Sequence, residues 1–559
     1  MSSDRARRGV RLFAALLGLA LLVDGVLGAQ GQRRAPRFYP DDPIAVDDDS
    51  AFDAGGAREI ELSETFDFLS NTFGSPGDAA PVRAVNVNTI DEVPDSSWFT
   101  NRIGVRDMPL AEIRRGPNKF ERLDAEDWII VSGKGPGGFH PGFRAVHPGD
   151  PDQIYQLEVD PPDHPQMASG AEIIGTLIYH ALGYHVVDVY PVRIDPARIT
   201  ISEKATIRDA SGRRRFTRQD LDGILRIAAR DRQGRVYFSA SRFEEGKDLG
   251  HFQYYGTRSD DPNDIHPHEH RRELRANRVF SAWLAHDDSR AVNSLNMLVE
   301  ENGRRFIRHY MYDFGAILGS ATRFPDTVAS GHEYYIDKDA NLRALATLGL
   351  RVPRYARANY PDMPPSAGFV SSVAFDPAAW KPNYPNPAYR NMRPDDAFWG
   401  ARLVARFSDE IIGAIVGAVG YDDPRAAEYL TRTIAERRDK VLRTWLPGVN
   451  PVVDARLAED GTLTFTNAAV AAGVASQPSA YVVNWSRFDN DTGTHTPVGG
   501  ETRTASPAAK APPALLEGSR YIAATIRTEH PDHPVWNQPV QVYFRRAPAG
   551  WQTVGLFRE

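Results

Sequence analysis

The sequence predicts an α+β protein of two lobes followed by a small all-β domain. Three observations predict it. A strand-rich stretch with a glycine-rich turn and one helix comes first, and a longer helix-rich region follows. From about Ala455 onward, alternating strands are separated by turn residues. At 559 residues the chain can hold two or three such units, each with its own core.

Composition narrows the function classes. With 42% hydrophobic and 25% charged residues the chain is globular, and 45 Gly and 41 Pro make it rich in loops. A net charge of −7 and a pI near 6.1 exclude a general nucleic-acid footprint. The absence of cysteine excludes disulfides, thiolate zinc sites and cysteine nucleophiles.

Residues 1–29 read as an export signal. Arg5, Arg7, Arg8 and Arg11 precede the uncharged apolar run Leu12–Val23, and Val26-Leu27-Gly28-Ala29 offers a cleavage site. Twelve residues are too few to span a bilayer comfortably, and no other apolar run approaches that length, so the expectation is an exported, periplasmic or secreted protein without a transmembrane segment. Residues 30–126 are Pro/Asp-rich and weakly periodic, an irregular extension.

From Asp127 the elements follow in order. "DWIIVSGKGPGGFHPGFRAV" is strand, glycine-rich turn, strand, and "QIYQLEVD" is a third strand with alternating apolar positions. "SGAEIIGTLIYHALGYH" is a helix, with Ser169 as N-cap, Glu172 closing a capping box and Gly183 ending it. "HVVDVYPVRI" is the next strand, "TRQDLDGILRIAARD" a capped amphipathic helix and "RVYFSASRF" a strand. In "HEHRRELRANRVFSAWLAH", Leu274, Val279, Phe280, Trp283 and Leu284 fall at helical spacing. "LNMLVEENGRRFIRHYMY" is two strands around Asn302-Gly303, a two-residue hairpin signal. A Pro/Tyr-rich stretch runs to about Arg393. Helices are expected over roughly Asp395–Val419 and Pro424–Trp445, and strands of a sandwich-like domain over 450–559.

Four motifs carry chemistry. Gly133-Lys134-Gly135-Pro136-Gly137-Gly138 fits G-x-G-x-x-G between two strands. Glu172 lies in the first helix after three strands. His286, Asp288 and Asn293 fit H-x-D-x-x-x-x-N, and Asp313-Phe314-Gly315 fits D-F-G. In this order, with a hairpin between the last two, the chain resembles the protein-kinase-like fold on its atypical side, where HipA, the spore-coat kinase CotH and the secretory-pathway kinases belong. The resemblance covers about residues 127–320 and extends to the helices ending near 446. It implies an N-lobe over 127–195 and a C-lobe over 196–449.

The resemblance also implies Mg²⁺ and ATP as cofactors and a hydroxyl-bearing acceptor. Asp288 would orient the attacking hydroxyl, and Asn293 and Asp313 would supply hard oxygen ligands to the metal. Gly133, Lys134, Gly135, Gly138 and Glu172 would contact the nucleotide or its clamp, and His286 would pack under the loop. The pattern departs from the family at one place. The third strand has Glu158 where a lysine is expected, so either Lys134 or Arg144 replaces that cation, or the chain is an inactive scaffold. Two further clusters have open readings. His266, His268 and His270 suit a zinc site or a polar loop capped by Asp264. Arg271, Arg272 and Arg275 suit a solvated face or internal ion pairs. A glycan hydrolase with paired carboxylates ranks last, because no spacing singles out a pair.

Overall fold

The computed structural model describes residues 37–123, 127–134, 140–209 and 212–558. The expected export segment and the loop residues Gly135 and Gly138 lie outside them. Residues 37–123 hold two short helices, α1 (Glu64–Phe73) and α2 (Leu110–Arg115), in an otherwise irregular arm. Side-chain anchors hold this arm down. Phe38 N–H donates to Asn490 Oδ1 at 2.9 Å, and Trp98 stacks on His309 with ring centroids 3.5 Å apart.

The chain is α+β, with four sheets among the described residues. β1 (Ile129–Gly133), β2 (Gly142–His147) and β3 (Asp150–Val159) form an antiparallel meander. α3 (Met167–Leu182) and the two-residue strand β4 (His185–Val186) follow. β5 (Val189–Ile194), β6 (Thr200–Asp209), β7 (Gly212–Arg215) and β8 (Val236–Arg242) complete a seven-stranded sheet of order β5-β8-β3-β2-β1-β6-β7. The sheet therefore continues well past Ile194. β8 inserts between β3 and β5, antiparallel to both, and β6 runs parallel to β1. Trp128, Phe143, Tyr155, Leu157 and Phe238 fill the core of this unit.

Apart from His180, α3 is buried throughout, as expected for a helix apolar on all sides. It ends where the sequence reading ends it, with Gly183 at φ 132°. Its start differs. The helix begins at Met167, so Ser169 lies inside it and forms no capping box with Glu172. The cap comes from Asp160 at the end of β3. Asp160 Oδ1 accepts the N–H groups of Ala168 (2.8 Å) and Ser169 (3.0 Å), and Oδ2 accepts the Ser169 hydroxyl at 2.5 Å. Asp160→Ala is expected to cost about 1–3 kcal/mol of stability in urea denaturation. A loss within about 0.5 kcal/mol of zero would contradict the capping role.

After helix α4 (Arg218–Arg226) and strand β9 (Lys247–Asp248), α5 (Arg272–Leu284) buries Leu274, Val279, Phe280, Trp283 and Leu284, as their spacing predicts. Each such side chain is worth about 1.5–3 kcal/mol of apolar burial. β10 (Ser294–Glu301) and β11 (Arg304–Met311) form the expected hairpin, with Asn302 at φ 52° and Gly303 at φ 75°. The hairpin joins β4 and β9 in a four-stranded sheet.

Beyond it lie α6 (Lys338–Ala346) and the single turn α7 (Pro387–Arg390). The region expected as one helix over 395–419 is two, α8 (Pro394–Val404) and α9 (Asp409–Val419). Ser408 caps the second, its hydroxyl accepting Ile411 N–H at 3.2 Å. α10 (Pro424–Trp445) packs with α5, α8 and α9. The remaining strands, from Val452–Leu457 to Gly550–Arg558, form a three-stranded and a six-stranded sheet. Both contribute to one core through Val452, Leu463, Phe465, Trp485 and Phe544. No helix among the described residues is long and apolar enough to cross a membrane.

Candidate functional site

α5 ends at Ala285, whose left-handed backbone (φ 53°) turns the chain so that His286 N–H bonds back to Ser281 O at 2.8 Å. The His286 ring packs edge-on to Tyr179 and Phe314, with Tyr179 Oη 3.3 Å from Nδ1. Burial, with help from Arg290, pushes this imidazole down to about 3, so it is neutral packing beneath the loop.

Asp288 is fixed from three sides. Its Oδ1 lies 2.6 Å from Arg290 Nε and accepts Asn383 Nδ2 at 3.2 Å, while Oδ2 accepts Asn293 Nδ2 at 3.0 Å. Asn293 Nδ2 also donates to Asp288 O at 2.8 Å. This commits the amide nitrogen to Asp288. Burial raises the Asp288 carboxyl, and Arg290 and Asn293 oppose the rise.

The hairpin brings the two halves of the site together. Ser294 is paired with Met311, and Tyr312 N–H reaches Asn293 O at 3.3 Å, so Asp313 emerges beside Asn293. Asp313 is left-handed (φ 62°, ψ 60°), an unusual conformation for a non-glycine residue. A single turn at Phe314–Ala316 follows, with the Phe314 ring 4.6 Å from that of Tyr179. Glu172 accepts backbone N–H groups of Phe314 and Gly315, so α3 holds the turn that presents Asp313.

Asp313 is exposed, yet charges surround it. Its carboxyl is raised to about 6, first by desolvation, then by Glu158 and Asp288, against the pull of His140 and Lys134. Glu172 is raised well above the ordinary glutamate value by burial and by Asp313 and Glu158.

The departure at Glu158 has a structural answer. Lys134 Nζ is paired with Glu158 Oε1, His140 Nδ1 lies 3.1 Å from Oε2, and Gln156 Nε2 donates to Oε1 at 2.8 Å. Burial alone would raise this carboxyl, but His140 and Lys134 together hold it down at about 2. Of the two cations proposed to replace the missing lysine, Lys134 reaches Glu158. Arg144 lies over the Phe243 ring, 5.0 Å from its centroid. Gly133 is packed against Ile207, where a Cβ would come within 2.7 Å of that side chain, so packing alone accounts for this glycine.

The residues fit a Mg-nucleotide. Mg²⁺ is usually held by one or two carboxylates together with substrate phosphates. Asp313 would supply one carboxylate and Asn293 a neutral amide oxygen, and a cation beside Asp313 would relieve the repulsion that raises its carboxyl. Among the described residues no group of three or more His, Cys, Asp or Glu side chains stands at metal-holding spacing.

The other clusters are structural. His268 bonds Asp264 Oδ2 (2.8 Å) and Gln253 O (2.5 Å), and His270 bonds Asp78 Oδ2 (3.2 Å). Asp264 therefore pairs with His268 rather than capping the turn. Arg271, Arg272 and Arg275 are buried, not a solvated face. Arg272 alone meets Asp91 (2.7 Å), Asp395 (3.0 Å) and Asp396 (3.2 Å).

Sequence reasoning missed His140, Arg290 and Asn383. His140 follows the glycine turn and Arg290 stands two residues after Asp288, so both were within reach of a local reading. Asn383 acts on Asp288 from 95 residues away and leaves no local signal. No protein-family model, curated protein or solved structure matches the chain.

Proposed function

We propose that the residues around Asp313 bind a Mg-nucleotide and that the chain is an exported, kinase-like phosphotransferase acting on a hydroxyl acceptor. The observation that carries this reading is Asp313. It stands on a left-handed turn bonded to Glu172, next to Asn293, within electrostatic reach of Asp288, Glu158, His140 and Lys134. Asp313 and Asn293 would hold Mg²⁺, which supplies charge neutralisation on the phosphates. Lys134 and His140 face the same charges from the sheet and would orient phosphate oxygens. Asp288, held by Arg290, Asn293 and Asn383, accepts the proton of the acceptor hydroxyl as the new O–P bond forms and the bond to the leaving phosphate oxygen breaks. The transferred group is a phosphoryl or, with the nucleotide reversed, an adenylyl group.

A second reading is a scaffold that binds nucleotide without transferring it. It is favoured by one observation: Glu158 takes up part of the Lys134 charge that phosphates would otherwise meet. The readings separate in two steps. Mg-ATP should raise the melting temperature under either, and only the transferase should label a hydroxyl acceptor from ATP. No stabilisation by any nucleotide at about millimolar concentration contradicts both. Lys134→Met is expected to weaken Mg-ATP binding about tenfold or more, equivalent to ~1.4 kcal/mol, in a direct titration. Unchanged affinity would remove Lys134 from the phosphate clamp.

A further inference from the structure

The segment from Lys338 to Arg354 projects from the body of the protein. Leu342, Leu345, Leu348 and Leu350 are 64%, 72%, 84% and 85% exposed, and α6 buries none of its residues. Isolated exposed leucines are ordinary, but four within nine residues form a patch that marks a binding surface.

The base of the projection is built rather than frayed. At one end Asp337 is buried, caps α6 by accepting Ala340 N–H at 3.0 Å, and pairs with Lys381. At the other end the Tyr355 ring stacks on His332 at 4.6 Å, and Tyr360 Oη donates to Tyr355 O at 2.8 Å. Between these anchors α6 is closed at its C-terminus by Gly349 N–H bonding to Ala344 O at 2.8 Å. A pinned element that holds leucines out in water has a partner to meet. The apolar surface continues onto α1, where Phe66 and Phe73 are 62% and 57% exposed and Lys338 Nζ lies 5.7 Å from the Phe73 centroid.

Charge selects the partner. The projection carries Lys338, Arg343, Arg351 and Arg354 against the single acid Asp339, in a chain whose net charge is −7. A second copy would bring the same cations. The chain's own apolar run Leu12–Val23 follows Arg5, Arg7, Arg8 and Arg11 and would also bring like charge. We infer that this projection docks the protein on an anionic phospholipid surface, the leucines entering the acyl boundary and the cations meeting the headgroups. The inference stands independently of the nucleotide reading.

The test is co-sedimentation of the mature chain with vesicles of phosphatidylcholine alone and of phosphatidylcholine with phosphatidylglycerol. Binding is expected only to the anionic vesicles and should weaken as salt rises from 50 to 500 mM, roughly the range over which Debye screening tightens. The double variant Leu348→Ser/Leu350→Ser should lose about tenfold or more of that binding, and Arg343→Glu/Arg351→Glu a comparable amount, both with unchanged melting temperature. Absence of binding to anionic vesicles, or undiminished binding by the leucine variant, overturns the proposal. So does self-association through the patch in sedimentation velocity, or retention of an acidic protein partner without vesicle binding.

Discussion

Asp313→Ala is expected to abolish stabilisation by Mg-ATP while the metal-free protein melts at or above the temperature of the parent chain. The two halves of this result have one cause. Asp313 is held where desolvation by the surrounding groups, Glu158 and Asp288 disfavour its charge, and its carboxyl is raised to about 6 from the ordinary 3.8. Without a cation, that carboxylate opposes folding at neutral pH, so its removal does not destabilise. In the proposed reading it is the main protein ligand of Mg-ATP, so its removal eliminates the shift. The sign of the pH dependence follows. The folded carboxyl binds a proton more readily than the unfolded one, so its contribution to stability falls as pH rises from about 4 to about 6. Metal binding needs the charged form, so the Mg-dependent shift should shrink as pH falls through about 6. Differential scanning fluorimetry at pH 5 and 7.5, with Mg²⁺ or with EDTA, reads both effects. A variant that is destabilised without metal and still shifted by Mg-ATP would show that Asp313 is a packing residue.

Arg272→Ala is expected to cost about 3–5 kcal/mol of stability, or to prevent accumulation of folded protein. The guanidinium is fully buried and holds Asp91, Asp395 and Asp396 at once. Burial would raise Asp91, and Arg272, Arg558 and Arg83 instead bring it below the ordinary value. Removing Arg272 leaves Asp396 with the Arg393 N–H at 3.0 Å and, as its nearest cation, the longer contact to Arg275 at 3.4 Å. It also loosens the link between α5 and the last strand, because Asp91 bonds Arg558 at 2.6 Å. Arg272→Lys keeps the charge but loses the planar fork, and should lose about 1–3 kcal/mol. Urea unfolding followed by circular dichroism and by tryptophan fluorescence checks the pair. If Arg272→Ala unfolds within about 1 kcal/mol of the parent, the buried network is not what joins these elements.

What could be read from the sequence followed from local chemistry. Asn302-Gly303 specified the turn, and the alternation on either side specified the hairpin, which then carried Asn293 to Asp313. Gly183 specified the end of α3, and the 3.6-residue spacing of Leu274, Phe280 and Trp283 specified the buried face of α5. What could not be read depended on groups distant in sequence. Ser169 looked like a cap because the alternative, Asp160, belongs to the preceding strand and reaches the helix only once the sheet has formed. Glu158 looked repulsive because its compensation by Lys134 and His140 arises from pairing β3 with β2, whose register sets Gly142 opposite Glu158. The choice between a solvated face and internal ion pairs for the arginines of α5 stayed open because their carboxylate partners lie more than 120 residues away. The insertion of β8 between β3 and β5 has the same character, since nothing local distinguishes a strand that ends a sheet from one that enters its middle.

The central claim is that Asp313, Asn293 and Lys134 together form a site for a Mg-nucleotide. Isothermal titration of ATP into the purified protein at pH 7.5 reads this, once with Mg²⁺ in excess and once with EDTA. Saturable binding of one nucleotide per chain is expected, requiring Mg²⁺ and disappearing in Asp313→Ala. Absence of saturable heat at about millimolar ATP, or equal binding with Mg²⁺ and with EDTA, would contradict it.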